Sequence, residues 1–533
     1  MKPLDANHRY ASLCFFLAAK AQKKNQKTTT DVNKNKLSGA SDLTKRIKNG
    51  TNSALLWGLL VFINYTYSQQ PVLHLNYNEA SGISSIKNVI DNTSFQISNT
   101  FNKPERVPGI YGNALRTDGF STWVSGDFSA ALQGQVTIET WISLESYPSD
   151  DEVPYNGLTP SAIVSQRKDG KGFSMGINTF GEWWFEVNLS GQIYKVKSPA
   201  NFPLYQWVHA AAVIDAPNGT LKLVLNGNVA TSTTIPTNSI FTKADSPLLI
   251  GKSEVNKTMG IFLINCLNAA IDETKIYARA KPVSELLSDY SSGIAAAATT
   301  GEQAIAVPES RFENDRLRPV FHAMPPANWT NEPHGLVKYN NMYHMFYQRT
   351  PNGPFKTEMH WGHMTSSDLV HWENKKDALW PTLDGGSTNG TDMKGIWSGD
   401  VIVKDNVAHA LYTSVNHGSM YNPGISLATS GDSGLENWTK KGPVINRQFV
   451  NDFRDPYLWK DANTGNYNMI IGAAVGTGGG LDFYSSSDLV TWNHKDQFST
   501  VSFGQMDIGS VIWEMPVFES LGNGKYLLIN SSC

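Results

Sequence analysis

Three short stretches set a carboxylic acid beside a proline or an aromatic residue at the edge of a strand-like run. They are Trp329-Thr330-Asn331-Glu332-Pro333-His334-Gly335, Phe453-Arg454-Asp455-Pro456 and Trp513-Glu514-Met515-Pro516. Taken singly, an Asp or Glu before Pro is an ordinary turn former. Three such acids in successive repeats point instead to a shared site. Carboxyl groups gathered in one pocket can act as nucleophile, as general acid or base, or as fixed charge beside a developing cation. For these three to meet, strands far apart in sequence must converge.

The surrounding text supplies such strands. Ser366-Ser367-Asp368-Leu369-Val370-His371-Trp372 recurs as Ser486-Ser487-Asp488-Leu489-Val490-Thr491-Trp492, with a degenerate copy from Ser430-Gly431-Asp432 to Glu436-Asn437-Trp438. The tryptophans lie 66 and 54 residues apart. A period of this size in strand-rich sequence predicts propeller blades, of about four strands each. The innermost strands of a propeller face its axis, so acids from different blades can share one pocket.

Residues 71 to about 287 also read as all-β. Leu73-His74-Leu75, Val136 to Ile142, Trp207 to Val213 and Leu221 to Leu225 are short apolar or alternating runs, punctuated by turns at Asp118-Gly119, Asn218-Gly219 and Asn226-Gly227. This spacing predicts a sandwich or jelly roll. Gly109-Ile110-Tyr111-Gly112-Asn113-Ala114-Leu115, Val136 to Ile142, Trp207-Val208-His209 and Ile271 to Tyr277 together resemble the laminin-G or concanavalin-like jelly roll. Trp183-Trp184 is either a sugar-stacking platform or core. Neighbours on a strand face opposite sides, so at least one of the two belongs to the core.

The second body, over 319–520, resembles the catalytic propeller of glycoside hydrolase family 32, the invertases, inulinases and levanases. The matching text is Asn331 to Gly335, Tyr343-His344-Met345-Phe346-Tyr347-Gln348, His360-Trp361-Gly362-His363, Asp368 to Trp372, Trp397-Ser398-Gly399, Phe453 to Pro456 and Trp513 to Pro516. The resemblance implies hydrolysis of β-fructosides by a retaining double displacement. It implies Glu332 as nucleophile, Asp455 as transition-state stabiliser and Glu514 as general acid/base. Such a reaction needs two carboxyl groups about 5–5.5 Å apart. The resemblance further implies that Asn331, Gln348, Trp361, Trp397, Ser398 and Arg454 line the fructosyl pocket, and that no metal or other cofactor is needed. Arg454 is expected to keep Asp455 ionised, and burial near Trp513 to raise the pKa of Glu514. Packing within a blade is the alternative role for Trp361 and Trp397. The four histidines His334, His344, His360 and His363 lack zinc spacing on a single element.

Two features depart from the family pattern. Glu332 and His334 stand where the family has Asp and Asn, and Met515 where it usually has Cys. A longer acid requires the backbone to retreat if the attack distance is to be kept. The 215 residues from Pro319 to Cys533 make between three and four blades at about 55–65 residues per blade, whereas the family has five. The expected architecture is therefore an all-β jelly roll followed by an incomplete five-bladed propeller. On this reading the chain alone is inactive or nearly so, because the blade carrying Glu514 is cut short, while 71 to about 291 folds by itself. The expected organisation is a basic leader over 1–68, the jelly roll over 71–290, a linker over 291–310 and the propeller over 311–533. Two other functions are open: a non-catalytic sugar-binding protein with a decayed propeller, and an inverting hydrolase of arabinan or xylan.

Composition narrows the partners. Of 533 residues 17% are charged and the net charge is −3, which gives no electrostatic case for nucleic acid. No apolar run reaches the ~18 residues of a membrane span. Residues 1–50 hold 11 Lys/Arg against 3 Asp/Glu, a balance of +8 that leaves −11 for the remainder. Lys45, Arg46 and Lys48 precede an apolar run from Ala54 to Ile63 and a small-residue site ending at Ser68. This is the pattern of a secretory signal, so a secreted or extracytoplasmic protein acting on an oligo- or polysaccharide is expected. A weaker candidate runs from Leu13 to Ala19. Cys14, Cys266 and Cys533 are too few for a disulfide framework.

Overall fold

The computed structural model describes residues 70–150, 160–300, 315–319, 322–382, 392–416, 422–448, 450–499 and 510–532. The leader, with its candidate signal segments, and Cys14 and Cys533 lie outside these. Among the described residues, no helix is long and apolar enough to cross a membrane.

Alternating apolar residues in the first body build two antiparallel eight-stranded sheets packed face to face. The first runs in the order 228–234, 220–225, 207–215, 135–146, 268–277, 113–116, 106–108, with 73–75 added beside 268–277. The second runs 192–197, 183–189, 171–177, 161–168, 248–250, 123–126, 94–98, 85–87. Ile138, Ile142, Val208, Ala210, Phe173, Phe185 and Trp183 meet between them and are essentially unexposed. This is the expected jelly roll.

The segment Ser291–Thr300, expected to open a linker, instead completes the α-helix Val283–Thr300. Its alanines favour helix over extended chain. Packing then fixes it: Tyr290 stacks on Trp141 with ring centroids 5.7 Å apart, and Ala297 is buried in the same cluster. A Cβ on Gly293 would fall 2.3 Å from the Trp141 ring, so only glycine lets the helix lie this close.

Among the described residues, the second body shows three four-stranded antiparallel sheets and a hairpin. Their inner strands are Trp329–Tyr339, Gly395–Lys404, Asp452–Lys460 and Trp513–Gly522, and each sheet adds its strands in chain order. The repeated Ser-x-Asp-Leu motif is the turn between the third and fourth strands. In the first blade Asp368 Oδ1 accepts from the Val370 and His371 N–H groups, and in the third Asp488 does the same for Val490 and Thr491. The indole N–H groups of Trp372, Trp438 and Trp492 close these turns onto the carbonyls of Leu369, Leu435 and Leu489. Those three leucines share a left-handed backbone, with φ of 66°, 52° and 70°.

Jelly roll and propeller share a buried polar seam. Arg349 is 2% exposed and lies between Glu145 of the jelly roll (3.4 Å) and Asp377 of the first blade (3.1 Å). Glu145 also pairs with Arg116, and Asp377 with His360 at 2.9 Å. Asn352 donates to the Tyr147 carbonyl at 2.6 Å. The Asp377 N–H donates to the Tyr205 hydroxyl at 3.0 Å. Removing one partner from a buried ion network costs about 3–5 kcal/mol, because the remaining charge is stranded away from water. The seam therefore holds the first blade at a fixed angle to the jelly roll.

Candidate active site

Each inner strand breaks its ladder at the same place. The register slips between Thr330 and Pro333, between Ile396 and Gly399, between Arg454 and Tyr457, and between Glu514 and Val517. A bulge re-aims the side chains that a regular strand would alternate. Glu332, Ser398 and Asp455 sit within these bulges and Glu514 sits at the edge of the last. Asp455 and Met515 hold φ of 61° and 49°, a conformation that costs a non-glycine residue about 1–3 kcal/mol. Four neighbouring strands bulged at one level mark where the chain gathers its functional groups.

On the first-blade side the groups form a chain. The Ser398 hydroxyl donates to Glu332 Oε2 at 3.0 Å, Gln348 Nε2 donates to Ser398 Oγ at 2.7 Å, and Asn331 Nδ2 donates to Gln348 Oε1 at 3.4 Å. This chain fixes the longer Glu332 side chain in one orientation. His334 is buried and donates through Nδ1 to the Glu332 carbonyl at 3.2 Å. Burial pulls its pKa down to about 3, so the ring stays neutral beside the acid.

On the far side Arg454 is the hub. Its Nε and Nη2 reach Glu514 Oε1 at 2.8 and 2.6 Å, and its Nη1 reaches Asp452 at 2.5 Å. It also lies over the Trp397 ring, 5.8 Å from the centroid. Between the two sides, Asp455 is 6% exposed. The Met515 N–H donates to its Oδ2 at 3.2 Å, and the Asp455 N–H donates to Thr413 Oγ1 at 2.8 Å.

Several expectations need correcting. Arg454 does not bond Asp455 but holds Asp452 and Glu514. Burial, followed by the negative charge of Glu332, pushes Asp455 up to about 7, and the Met515 N–H and Arg454 oppose this only in part. Glu514 is not enclosed beside Trp513: its side chain is 23% exposed while Trp513 is 4% exposed. Trp361 is wholly unexposed. Its ring packs at a tilt against His334, centroids 4.4 Å apart, and it donates to the Trp397 carbonyl at 2.9 Å, so it packs the blade and supports the pocket wall rather than forming it. Trp397 is half-buried.

The other histidines are committed locally, His344 to His363 at 3.0 Å and His360 to Asp377. Among the described residues, no group of three or more His, Cys, Asp or Glu could hold a metal ion.

Three groups escaped the sequence reading. Asp452 stands one residue before the Phe453 motif, a position that gave a weak signal. Thr413 gave none. Asp400 follows Trp397-Ser398-Gly399, is half-buried, and accepts from the Leu458 N–H at 2.8 Å; its withdrawal from water pushes it up to about 7. It lines a cavity of about 350 Å³ together with Asp455, His334, Tyr457, Met515 and Glu519. Asp455 is thus common to this cavity and to the acid cluster.

Two family models match the chain, one over each body. Residues 322–532 match the glycosyl hydrolases family 32 N-terminal domain, and residues 118–286 match the concanavalin A-like lectin/glucanases superfamily. The chain is 34% identical over 224 residues to a sucrose-6-phosphate hydrolase of Escherichia coli, covering 40% of this chain and 43% of that one. It is 36% identical over 214 residues to the levanase of Bacillus subtilis (strain 168), covering 39% and 30%. Against the solved fructan 1-exohydrolase IIa of Cichorium intybus the identity is 32% and the TM-score 0.33, over 38% of this chain and 37% of that one. The chain therefore spans less than half the length of these relatives. The two matches fall on the two bodies, the family 32 glycosyl hydrolase N-terminal domain on the propeller and the concanavalin A-like superfamily on the jelly roll ahead of it.

Proposed function

We propose that the propeller hydrolyses the glycosidic bond of β-fructosides, of the sucrose, inulin or levan type, with retention of configuration. The observation that carries this is the pair of unlike carboxylates flanking Asp455. Glu332 is oriented by the neutral donor Ser398, and Glu514 is held by the cation Arg454.

In the first displacement the Glu332 carboxylate attacks the anomeric carbon. The glycosidic oxygen leaves with a proton from Glu514, and a fructosyl ester forms on Glu332. Arg454 must release Glu514 for this step. In the second displacement Glu514 takes a proton from water, the resulting hydroxide attacks the same carbon, and the Glu332 ester bond breaks. Asp455 holds sugar hydroxyls and, when ionised, offsets the oxocarbenium charge. Asn331, Gln348, Trp397 and Ser398 orient the fructosyl ring.

The stereochemistry tests this reading. Proton NMR of a β-fructoside digest is expected to show β-fructofuranose first, with the α anomer appearing only by mutarotation. Initial α anomer would mean inversion, as in the arabinan- or xylan-directed alternative, and would remove the ester intermediate.

The relatives' names include enzymes of sucrose and of levan, and we propose the same substrate class for this chain. The basic leader and apolar run before Ser68 support export. A secreted form whose N-terminus is Gln69 is the expected product on sequencing, and a mature protein that keeps Lys45 would end that reading.

A further inference from the structure

The jelly roll has a polar cavity of its own, far in the chain from the acids. It measures about 260 Å³, and among its walls are Arg167, Asn178, Trp184, Glu186, Lys195 and Glu254. All six come from the second sheet or the segments beside it. Neighbouring tryptophans on the strand Trp183–Leu189 divide between the two faces: Trp183 is unexposed in the core, and Trp184 is half-buried on the outside.

The outer indole rests on a glycine. A Cβ on Gly176, the cross-strand partner of Trp184, would fall 2.6–2.8 Å from three atoms of its ring. The missing side chain thus lets the indole lie against the sheet instead of standing off it. Around it the charges balance. Arg167 pairs with Glu186 and, at 3.8 Å, with Glu254; Lys195 lies 3.9 Å from Glu186 and 4.1 Å from the Trp184 ring centroid. Ser165 adds a donor to Glu254 at 3.3 Å.

We propose that this cavity is a second carbohydrate-binding site, for a neutral polysaccharide, with Trp184 as its stacking platform. Two cations and two carboxylates leave no net charge to favour an ionic ligand. They do offer alternating donors and acceptors, and each sugar hydroxyl can use both. The volume lies just below the range of small-molecule sites, which starts at about 300 Å³, and suits one or two rings of a longer chain lying across the sheet. An aromatic ring contributes a large apolar contact area at little cost in side-chain freedom. Lys195 caps the ring in the free protein. Its side chain is 46% exposed and its contacts are of the weak exposed kind, so a sugar ring can displace it. The site does not depend on the chemistry of the propeller.

Affinity electrophoresis of the full chain tests the proposal, in native gels containing inulin, levan, a neutral β-glucan or xylan. Retardation is expected in at least one gel. Trp184→Ala should weaken it about 30-fold, the loss typical of a central aromatic contact, with an unchanged melting temperature because the indole lies outside the core. Glu254→Gln, a near-isosteric change, should weaken retention several-fold and guards against a folding defect in the first variant. Lys195→Ala should keep retention or strengthen it. No retardation in any gel would overturn the proposal. Retardation unaffected by Trp184→Ala would do the same, since binding would then belong to the propeller. Loss of retention in Lys195→Ala would overturn the role of lysine as a cap.

Discussion

In a form of the protein that turns over β-fructosides, Glu332→Gln is expected to lower that turnover by at least about a thousandfold, because a carboxamide cannot form the ester on which the double displacement runs. Binding should stay within a few-fold. The amide keeps an oxygen for the Ser398 hydroxyl, which now donates to Glu332 Oε2 at 3.0 Å, and the Asn331–Gln348–Ser398 chain is untouched. Equilibrium binding of a β-fructoside to the variant, beside single-turnover rates, separates the two effects. A loss of only a few-fold in rate would remove Glu332 from the nucleophile's role. A parallel loss of binding would show instead that the bulge has collapsed. The presence of Glu at this position makes the result informative. An acid one methylene longer than the family's Asp needs something to fix its tip, and the structure provides a hydroxyl supported by a buried amide.

Much of this was legible in the sequence because it depends on short-range chemistry. The Ser-x-Asp-Leu repeat is a local turn: a serine hydroxyl and an aspartate carboxylate satisfy the next few N–H groups, as Asp368 and Asp488 do. Such a motif survives as text, so blades can be counted from it. The three acids were visible for a similar reason, since each lies in or at the edge of a bulge whose Pro and aromatic neighbours have a recognisable composition.

What the sequence hid was pairwise and long-range. Nothing in Phe453-Arg454-Asp455-Pro456 shows that Arg454 turns to Glu514, 60 residues on, rather than to its neighbour. The bulge is the cause: adjacent side chains there diverge, so sequence adjacency misleads. Thr413 sits in the middle of an ordinary strand and becomes a site residue only because Asp455 docks its N–H there. The interdomain seam was invisible because Glu145 and Arg349 are more than 200 residues apart. The Ala-rich stretch before Thr300 was misread because low complexity suggested a linker, and helix propensity together with the Trp141 surface prevailed.

Asp455→Asn is expected to make the protein more stable and less active at once. In the fold this carboxyl titrates at about 7, raised first by burial and then by the charge on Glu332, against about 3.9 in an unfolded chain. The sign follows from the direction. Below about pH 4 both states hold the proton and the buried neutral acid carries no penalty. As pH climbs from about 4 to about 7 the unfolded chain sheds the proton while the fold retains it, and stability falls. Above about 7 the deficit is constant, at most about 4 kcal/mol for a shift of this size. Asparagine has the same shape, can accept from the Met515 N–H and never ionises, so it escapes that deficit. Its melting temperature should exceed the wild type's by several degrees at pH 8, with the gap closing by pH 4. Turnover at pH 8 should nonetheless drop by about a hundredfold or more, because the fixed negative charge facing the oxocarbenium ion is gone. A variant that melts below the wild type at pH 8, or a gap of the same size at both pH values, would show that Asp455 carries no buried-charge penalty. Near-normal turnover would show that the strained, buried acid at the centre of the cluster is not there for the reaction. A carboxylate that destabilises its own fold at working pH and is needed for turnover is the signature of a group placed for chemistry rather than for packing.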